Sequence, residues 1–517
     1  MGVPRLGRFL EPFGKVLHFL VHPSGSPGSI VIDGPAFAYW LWFTVSTSPA
    51  NYRAFQDAIL NFHQFMLTLG FRAIEYVFDG GLPYSKHRTR IARYQQNISD
   101  PINAYVHLCV PIAHHVLKGI AGACVVVCNQ EADKYCAIRA RELDGIVLSQ
   151  DSDLLMFNLE NPHTGYVPLH SISITSKGLQ GKLYNFQDLK RHFPFDIHLL
   201  AAYLGVEGHP EDQVIDYHSS FQQICKTLEE NVKAGTLEKL ISTQELHRVH
   251  KFYSLDDISL YSSQLNDFIW GRVQELLHST LDPPEMWLPQ LPELPARPCS
   301  WTESAPLRLQ AYANFFTNQK TNTQVLEYSR NYAQLSKKLI PTNFDYASVI
   351  DTMQNKFANW PLPHRLVLWT LRCLKNLTNV AATGFLLMHA SLHLNAPLRL
   401  QSVTPTQEGT ALVSRYVATS YSLCMLVFSE SDKGRSIDLQ SFSSFSPLSS
   451  TVNFNLFHEA MGKLKTGRSP LSIVSDKATA ELTYELYKEL SADYQDMDII
   501  MNIWNTQTTK KKRKKIN

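Results

Sequence analysis

Four short apolar runs, each leading directly into acid, constrain this chain more than anything else in it. They are Ser29–Asp33 (SIVID), Ala73–Asp79 (AIEYVFD), Cys124–Cys128 (CVVVC) and Gly145–Ser149 (GIVLS). Near-continuous apolar character is what a strand buried on both faces requires. Helical patterns separate the runs. Tyr52–Leu69 places Phe55, Ile59, Phe62 and Met66 on one face, and Ala132–Leu143 follows Glu131. This alternation predicts an α/β domain, a mostly parallel sheet flanked by helices, over residues 1–215. Gly165–Ile174 reads as a further strand or hairpin.

The first run ends at Asp33 and the second at Asp79. The third leads into Glu131 and Asp133, the fourth into Asp151 and Asp153. In an open parallel sheet the chemistry gathers beyond the carboxyl ends of the strands. These side chains are therefore expected in one cleft, where they repel one another unless cations sit among them. All-oxygen ligands suit Mg²⁺ or Mn²⁺. Two such ions about 4 Å apart activate water and stabilise the leaving oxygen of a phosphodiester. Taken singly, each acid is accounted for as a helix cap or turn residue, and Asp33–Gly34 and Asp79–Gly80 are common turn dipeptides. The joint pattern points to a metal site. A phosphatase built on Asp151 and Asp153 would leave Asp33 and Asp79 without a role.

A basic stretch follows Asp79: Lys86, Arg88, Arg90 and Arg93, flanked by Tyr84 and Tyr94. Lys86 and Arg93 are seven residues apart and share a face if the stretch is helical. Arg88 and Arg90 suit a nucleic-acid backbone; a solvated helix face is the plain alternative. The formal net charge is only +2, so any polyanion must be met by a local patch of this kind.

These blocks resemble the flap-endonuclease (XPG-like, PIN-like) superfamily, and most closely its asteroid branch. SIVIDG, YVFDGG, QEADKY and VLSQDSDLLMFN match its metal-ligand blocks in order, after an opening MGVPRL, and GYVPLHSISI looks especially asteroid-like. The resemblance covers about residues 1–210. It implies that Asp33, Asp79, Glu131 and Asp133 hold one metal ion, and Asp151 and Asp153 a second. Glu207 stands where the family has a final Asp, and Asp133 where it usually has Glu. It further implies that Lys86 and Arg93 reach the scissile phosphate, and that Tyr39 stacks on a base beside the cut. The bland reading of Tyr39 is core packing with Phe37, Trp40, Trp42 and Phe43. The family's glycine-rich duplex-gripping turn is missing after Gly208, which favours single-stranded or 3′-overhang DNA. The function implied is metal-dependent DNA endonuclease in double-strand break repair, with repair proteins as partners. The alternative is a weak or inactive nuclease-fold scaffold that binds nucleic acid or protein.

Residues 216–505 are expected to be largely helical, with helical patterns at Leu228–Tyr253 and Arg365–Leu377, a linker at Pro283–Pro306 and a Ser-rich loop at Ser441–Ser450. Residues 506–517 form a basic tail, and Lys510–Lys515 (KKKRKK) suggests nuclear import or nucleic-acid contact. Adjacent His114 and His115 face different sides of a helix and read as structural. Cys124 and Cys128 read as small core residues; no CxxC pair occurs, so no cysteine zinc site is expected. Arg5, Arg8 and Glu11 interrupt the N-terminal stretch, and Ile30–Val45 contains Asp33, Gly34 and Pro35, so no membrane segment is expected.

Overall fold

The computed structural model describes residues 6–20, 28–45, 51–99, 106–205, 221–255, 268–293, 296–316, 324–342, 357–394, 405–431, 454–468 and 473–491, apart from positions 83, 129, 162, 177, 278, 375 and 475. Glu207, Ser441–Ser450 and Lys510–Lys515 lie outside these. The chain divides into two compact units. Met1–Thr44, Ala58–Arg93 and Val116–Glu275 form the first; Val45–Asp57, Tyr94–His115 and Leu276–Asn517 form the second.

The first unit contains the expected parallel sheet. In chain order its strands are β1 (Lys15–Leu20), β2 (Ser29–Asp33), β3 (Ile74–Phe78), β4 (Cys124–Val127), β5 (Gly145–Ser149), β6 (Gly165–Pro168), β7 (Ser173–Thr175) and β8 (Gly178–Leu183). Five of them form a sheet in the order β4-β3-β2-β5-β6, every pair parallel. The central strands β2, β3 and β5 are buried at every residue, which is why they read as unbroken apolar runs. β4 is an edge strand, so Cys124 is exposed rather than in the core, while Cys128 just beyond it is buried. The stretch Gly165–Ile174 divides: β6 extends the parallel sheet, and β7 pairs with β8 in a separate antiparallel sheet, β1-β8-β7.

Helix Ala132–Glu142 packs across β2 and β5, sealing Ala137, Ile138 and Ala140 against Val31 and Val147. Leu228–Tyr253 is not one helix. It forms the end of Phe221–Ala234, a short 3-10 turn, and Thr243–Tyr253. The break falls at Gly235, whose φ of 67° suits glycine and ends the first helix. Ser242 starts the next helix by accepting the amide of Glu245 at 3.1 Å.

The second unit is mainly helical, with helices Ala305–Phe315, Leu362–Cys373, Asn379–His393, Gln407–Ser431, Phe454–Lys465 and Lys477–Ser491. It also holds a sheet, β9 (Glu285–Trp287), β10 (Gln324–Asn331) and β11 (Gln334–Pro341), in the order β11-β10-β9. Pro283–Pro306 is thus not a plain linker. It contributes β9, where Trp287 stacks on Tyr328 with ring centroids 3.8 Å apart, and it starts the helix at Ala305. Within the described residues, Gln407–Ser429 alone is long and apolar enough to cross a membrane, and 78% of that window is buried inside the protein. His114 is buried and His115 half-buried.

Candidate metal centre

Three parallel neighbours deliver their acids to one end of the sheet. Asp33 is the last residue of β2, Asp79 follows β3, and Asp151 lies two residues beyond β5. Asp33 runs straight into helix Gly34–Val45. Gly34 is required there: a Cβ would stand 2.7 Å from the Phe78 ring. The Asp33–Gly34 pair therefore reflects tight packing of β2 against β3 as much as turn chemistry.

Each of these acids also does local structural work. Asp33 accepts the Ala36 amide at 3.0 Å and the Ser149 hydroxyl. Ser149 in turn accepts the Asp151 amide at 3.0 Å, tying two acid-bearing strands together. Asp79 accepts the Ala132 amide at 2.8 Å, which anchors the start of the helix carrying Asp133. Asp151 caps its own 3-10 turn by accepting the Asp153 amide at 3.0 Å. The turn-and-cap reading of single acids is thus correct locally, yet it does not account for the acids sharing one space.

Their electrostatics show that they do. Asp133 is pushed well above the carboxylate range by burial, then by the negative charges of Asp151, Asp33, Asp79 and Glu131. Burial and the Asp79 charge raise Asp33 to about 7. Asp79 is raised by burial, with the Ala132 amide and the Lys86 and Arg272 charges offsetting part of it. Asp153 is buried beside Tyr253, whose phenol is pushed up by burial and by the fields of Asp153 and Asp151. These carboxylates offer the hard oxygen donors that Mg²⁺ or Mn²⁺ takes, and a cation would relieve their mutual repulsion.

The basic stretch has a different shape from the one expected. Lys86 lies in a 3-10 turn (Tyr84–Lys86), and the helix begins only at His87 and runs to Ser99. Lys86 thus stands one residue before the helix that carries Arg93. Lys86 instead pairs with Glu131, Nζ to Oε1 2.7 Å, at the rim of the acid cluster. Arg90 makes a two-point ion pair with Glu275, to which Arg272 also binds at 3.0 Å. Arg88 and Arg93 are exposed. Tyr39 is 39% exposed on helix Gly34–Val45, whereas Phe37 and Trp42 are core residues and Phe43 is 64% exposed. The aromatic run thus splits into a buried face and an open one.

Ser149, Tyr166, Tyr253 and Arg272 belong to this site and were not anticipated. Ser149 had a signal, being the last residue of a ligand strand. Tyr166 shares the field of Asp151 and Asp33. Tyr253 and Arg272 reach the acids from a hundred or more residues away, which no local pattern encodes.

A family model described as XPG domain containing matches residues 105–342. A curated relative, Asteroid homolog 1 of Schizosaccharomyces pombe, is 58% identical over 516 residues, covering 99% of this chain and 99% of that protein. The chain belongs to the asteroid family. Solved structures similar to this asteroid protein include the catalytic core of Rad2 in complex with DNA substrate, 16% identical, covering 53% of this chain and 93% of that one at a TM-score of 0.32. Human GEN1 in complex with Holliday junction DNA is 12% identical, covering 69% and 92% at a TM-score of 0.29. Membership of the XPG-like superfamily, expected from the acid-bearing blocks, is borne out by the asteroid relative and the XPG family match.

Proposed function

We propose that this asteroid-family protein is a divalent-metal-dependent endonuclease that cuts single-stranded or 3′-overhang DNA. The observation that supports it is the convergence of Asp33, Asp79, Asp133 and Asp151, each felt by the others, at one end of the parallel sheet. Asp33, Asp79, Glu131 and Asp133 would hold one Mg²⁺ or Mn²⁺, and Asp151 and Asp153 a second. Glu207, outside the described residues, is the further candidate ligand. Such ions, when bound, supply a metal-activated water and charge stabilisation at the phosphodiester.

The chain's own groups then have defined tasks. Lys86, exchanging its Glu131 partner for phosphate, and exposed Arg93 neutralise charge that builds on the transferring group. Arg88 tracks the strand backbone, and Arg90 joins it on leaving Glu275. Tyr39, 39% exposed, would stack on an unpaired base. The basic Lys510–Lys515 block suits a nuclear protein acting in double-strand break repair alongside repair-protein partners.

A second reading is favoured by one observation. Lys86, expected at the scissile phosphate, and Arg90, expected on the strand backbone, are both held by carboxylates. On that reading the protein is a scaffold that binds nucleic acid or protein without cutting.

Labelled single-stranded, 3′-overhang and flap DNAs, incubated with the full-length protein with and without Mg²⁺, separate the two. The nuclease reading expects metal-dependent cleavage that falls about 10⁴-fold in Asp151→Asn, equivalent to roughly 5.5 kcal/mol. Absence of metal-dependent cleavage, or cleavage unchanged in Asp151→Asn, overturns it. Retained binding without cleavage supports the scaffold.

A further inference from the structure

Away from the oxygen-rich cluster, the first unit brings together two imidazoles and a carboxylate. Asp196 lies in the turn before helix His198–Leu204, His198 opens that helix, and His250 sits on helix Thr243–Tyr253, which packs against it. One ligand atom from each of these side chains lies within 4.8 Å of the others. Asp196 Oδ2 is 2.7 Å from His250 Nε2, and Oδ1 is 3.2 Å from His198 Nδ1.

The hydrogen-bond chemistry decides how this trio is used. His198 Nε2 lies 3.0 Å from the Met156 carbonyl oxygen. A carbonyl only accepts, so Nε2 carries the proton, and in a neutral ring Nδ1 is then a bare lone pair. That lone pair faces Asp196, which is also acceptor-only. The two rings are close, with centroids 5.1 Å apart, and Asp196 Oδ1 also accepts the His198 backbone amide at 3.0 Å. A divalent cation resolves this by taking Nδ1, Nε2 of His250 and one carboxylate oxygen as ligands. The Met156 carbonyl then plays the part usual for metal-bound histidine, fixing the ring through its other nitrogen. Tetrahedral zinc, with ligand bonds of roughly 2.0–2.2 Å, places ligand atoms about 3.3–3.6 Å apart; the 3.2 Å between Asp196 and His198 is near this, and the 2.7 Å between Asp196 and His250 would open by roughly 0.6–0.9 Å to admit the ion.

We propose that Asp196, His198 and His250 form a second metal site, distinct from the carboxylate cluster, that takes one zinc-class transition-metal ion. Two nitrogens and one oxygen select Zn²⁺ over Mg²⁺, and three protein ligands leave a position for water. The ion clasps helix His198–Leu204 to helix Thr243–Tyr253. The clasp has a specific load: Tyr253 stacks on His198, centroids 5.7 Å apart and planes within 20°, and its phenol lies beside Asp153. Zinc therefore positions a residue of the acid cluster without touching it.

The test is Zn²⁺ titration of the full-length protein against a chromophoric chelator, in excess Mg²⁺ so that the oxygen cluster is filled. Wild type and Asp33→Asn should each bind one Zn²⁺ tightly. His250→Ala and Asp196→Asn should bind it at least about a hundredfold more weakly, beyond the 10–100-fold seen for outer contacts. Zn²⁺ should raise the melting temperature of the wild type and not of His250→Ala. Co²⁺ should give the intense visible bands of a tetrahedral site in wild type, a readout that stands even if a variant fails to fold. Zinc affinity unchanged in His250→Ala, zinc lost in Asp33→Asn instead, or a weak octahedral Co²⁺ spectrum overturns the proposal.

Discussion

The second unit buries charge as a matched pair, whereas the first gathers Asp33, Asp79 and Asp133 in one another's field. Arg308 and Glu327 are almost sealed from water, with side chains 2% and 6% exposed. Two hydrogen bonds, of 2.7 and 2.9 Å, join them. Tyr312 donates a third to Glu327 at 2.9 Å, and Ser304 and Ser422 accept from Arg308. Burial acts to raise Glu327, yet the Arg308 charge and these hydrogen bonds hold it below the carboxylate range. Asp33 goes the opposite way, to about 7, raised by burial first and then by the Asp79 charge. Burial is common to both, so burial alone does not mark a functional acid. A buried acid raised by other acids is one whose partner must come from outside the chain, and that separates a binding site from a structural pair.

The most direct way to break the comparison is to make the second unit resemble the first. Arg308→Met removes the cation and leaves Glu327 buried with acid character. The expected loss is about 3–5 kcal/mol in chemical denaturation, the range for a buried pair deprived of one member. Adding Glu327→Leu should recover much of it, because the loss comes from the stranded charge and not from the missing attraction. A single variant as stable as wild type would show that Glu327 simply protonates at no cost, and the contrast between the two sites would fail.

Lys86 tests the contrast from the other side, since it is a positive charge the first unit places at the rim of its own cluster. Lys86→Met should lower cleavage by about a hundredfold, on the order of 2.7 kcal/mol. Mg²⁺ affinity should hold or rise, because the Lys86 charge no longer competes for Glu131. If Mg²⁺ binding weakens instead, the pair supports the metal site, and its role in charge neutralisation at phosphate is wrong.

The fold and the cluster were legible in the sequence for one physical reason. β2, β3 and β5 are buried on both faces, so their apolar runs stand out, and parallel pairing brings the acids that follow such runs to the same end of the sheet. β1 and β8 escaped notice because KVLHFL and GLQGKL mix polar and glycine positions, as strands with a wet face do. The hairpin of β10 and β11 was hidden for the same reason, with Lys337 and Lys338 in the middle of its second strand. The seven-residue spacing of Lys86 and Arg93 does not reveal where the helix starts, which is one residue after Lys86. Tyr253 and Arg272 could not be found at all: they act on the acids across a hundred or more residues, where no periodicity operates.

The smallest effect sharpens the comparison most, because it reads the repulsion itself. Asp33→Asn keeps the geometry: the amide oxygen can accept from Ala36, and the amide nitrogen can donate to Ser149. It removes only the charge. In the metal-free protein the raised value means that the folded state holds a proton more tightly than the unfolded chain, whose Asp titrates near 3.8. Stability from this group is therefore full below pH 3.8 and declines as pH rises towards about 7. Asp33→Asn should flatten that decline and make the metal-free protein more stable at neutral pH, by on the order of 1–2 kcal/mol given that the repulsion is shared among several acids. Melting curves at several pH values, with chelator and then with Mg²⁺, would show it. The wild type should gain more from Mg²⁺ than the variant, since the ion and the substitution relieve the same repulsion. Equal gains, or a metal-free wild type that grows more stable between pH 4 and 7 relative to Asp33→Asn, would mean that Asp33 is already compensated within the chain, as Glu327 is.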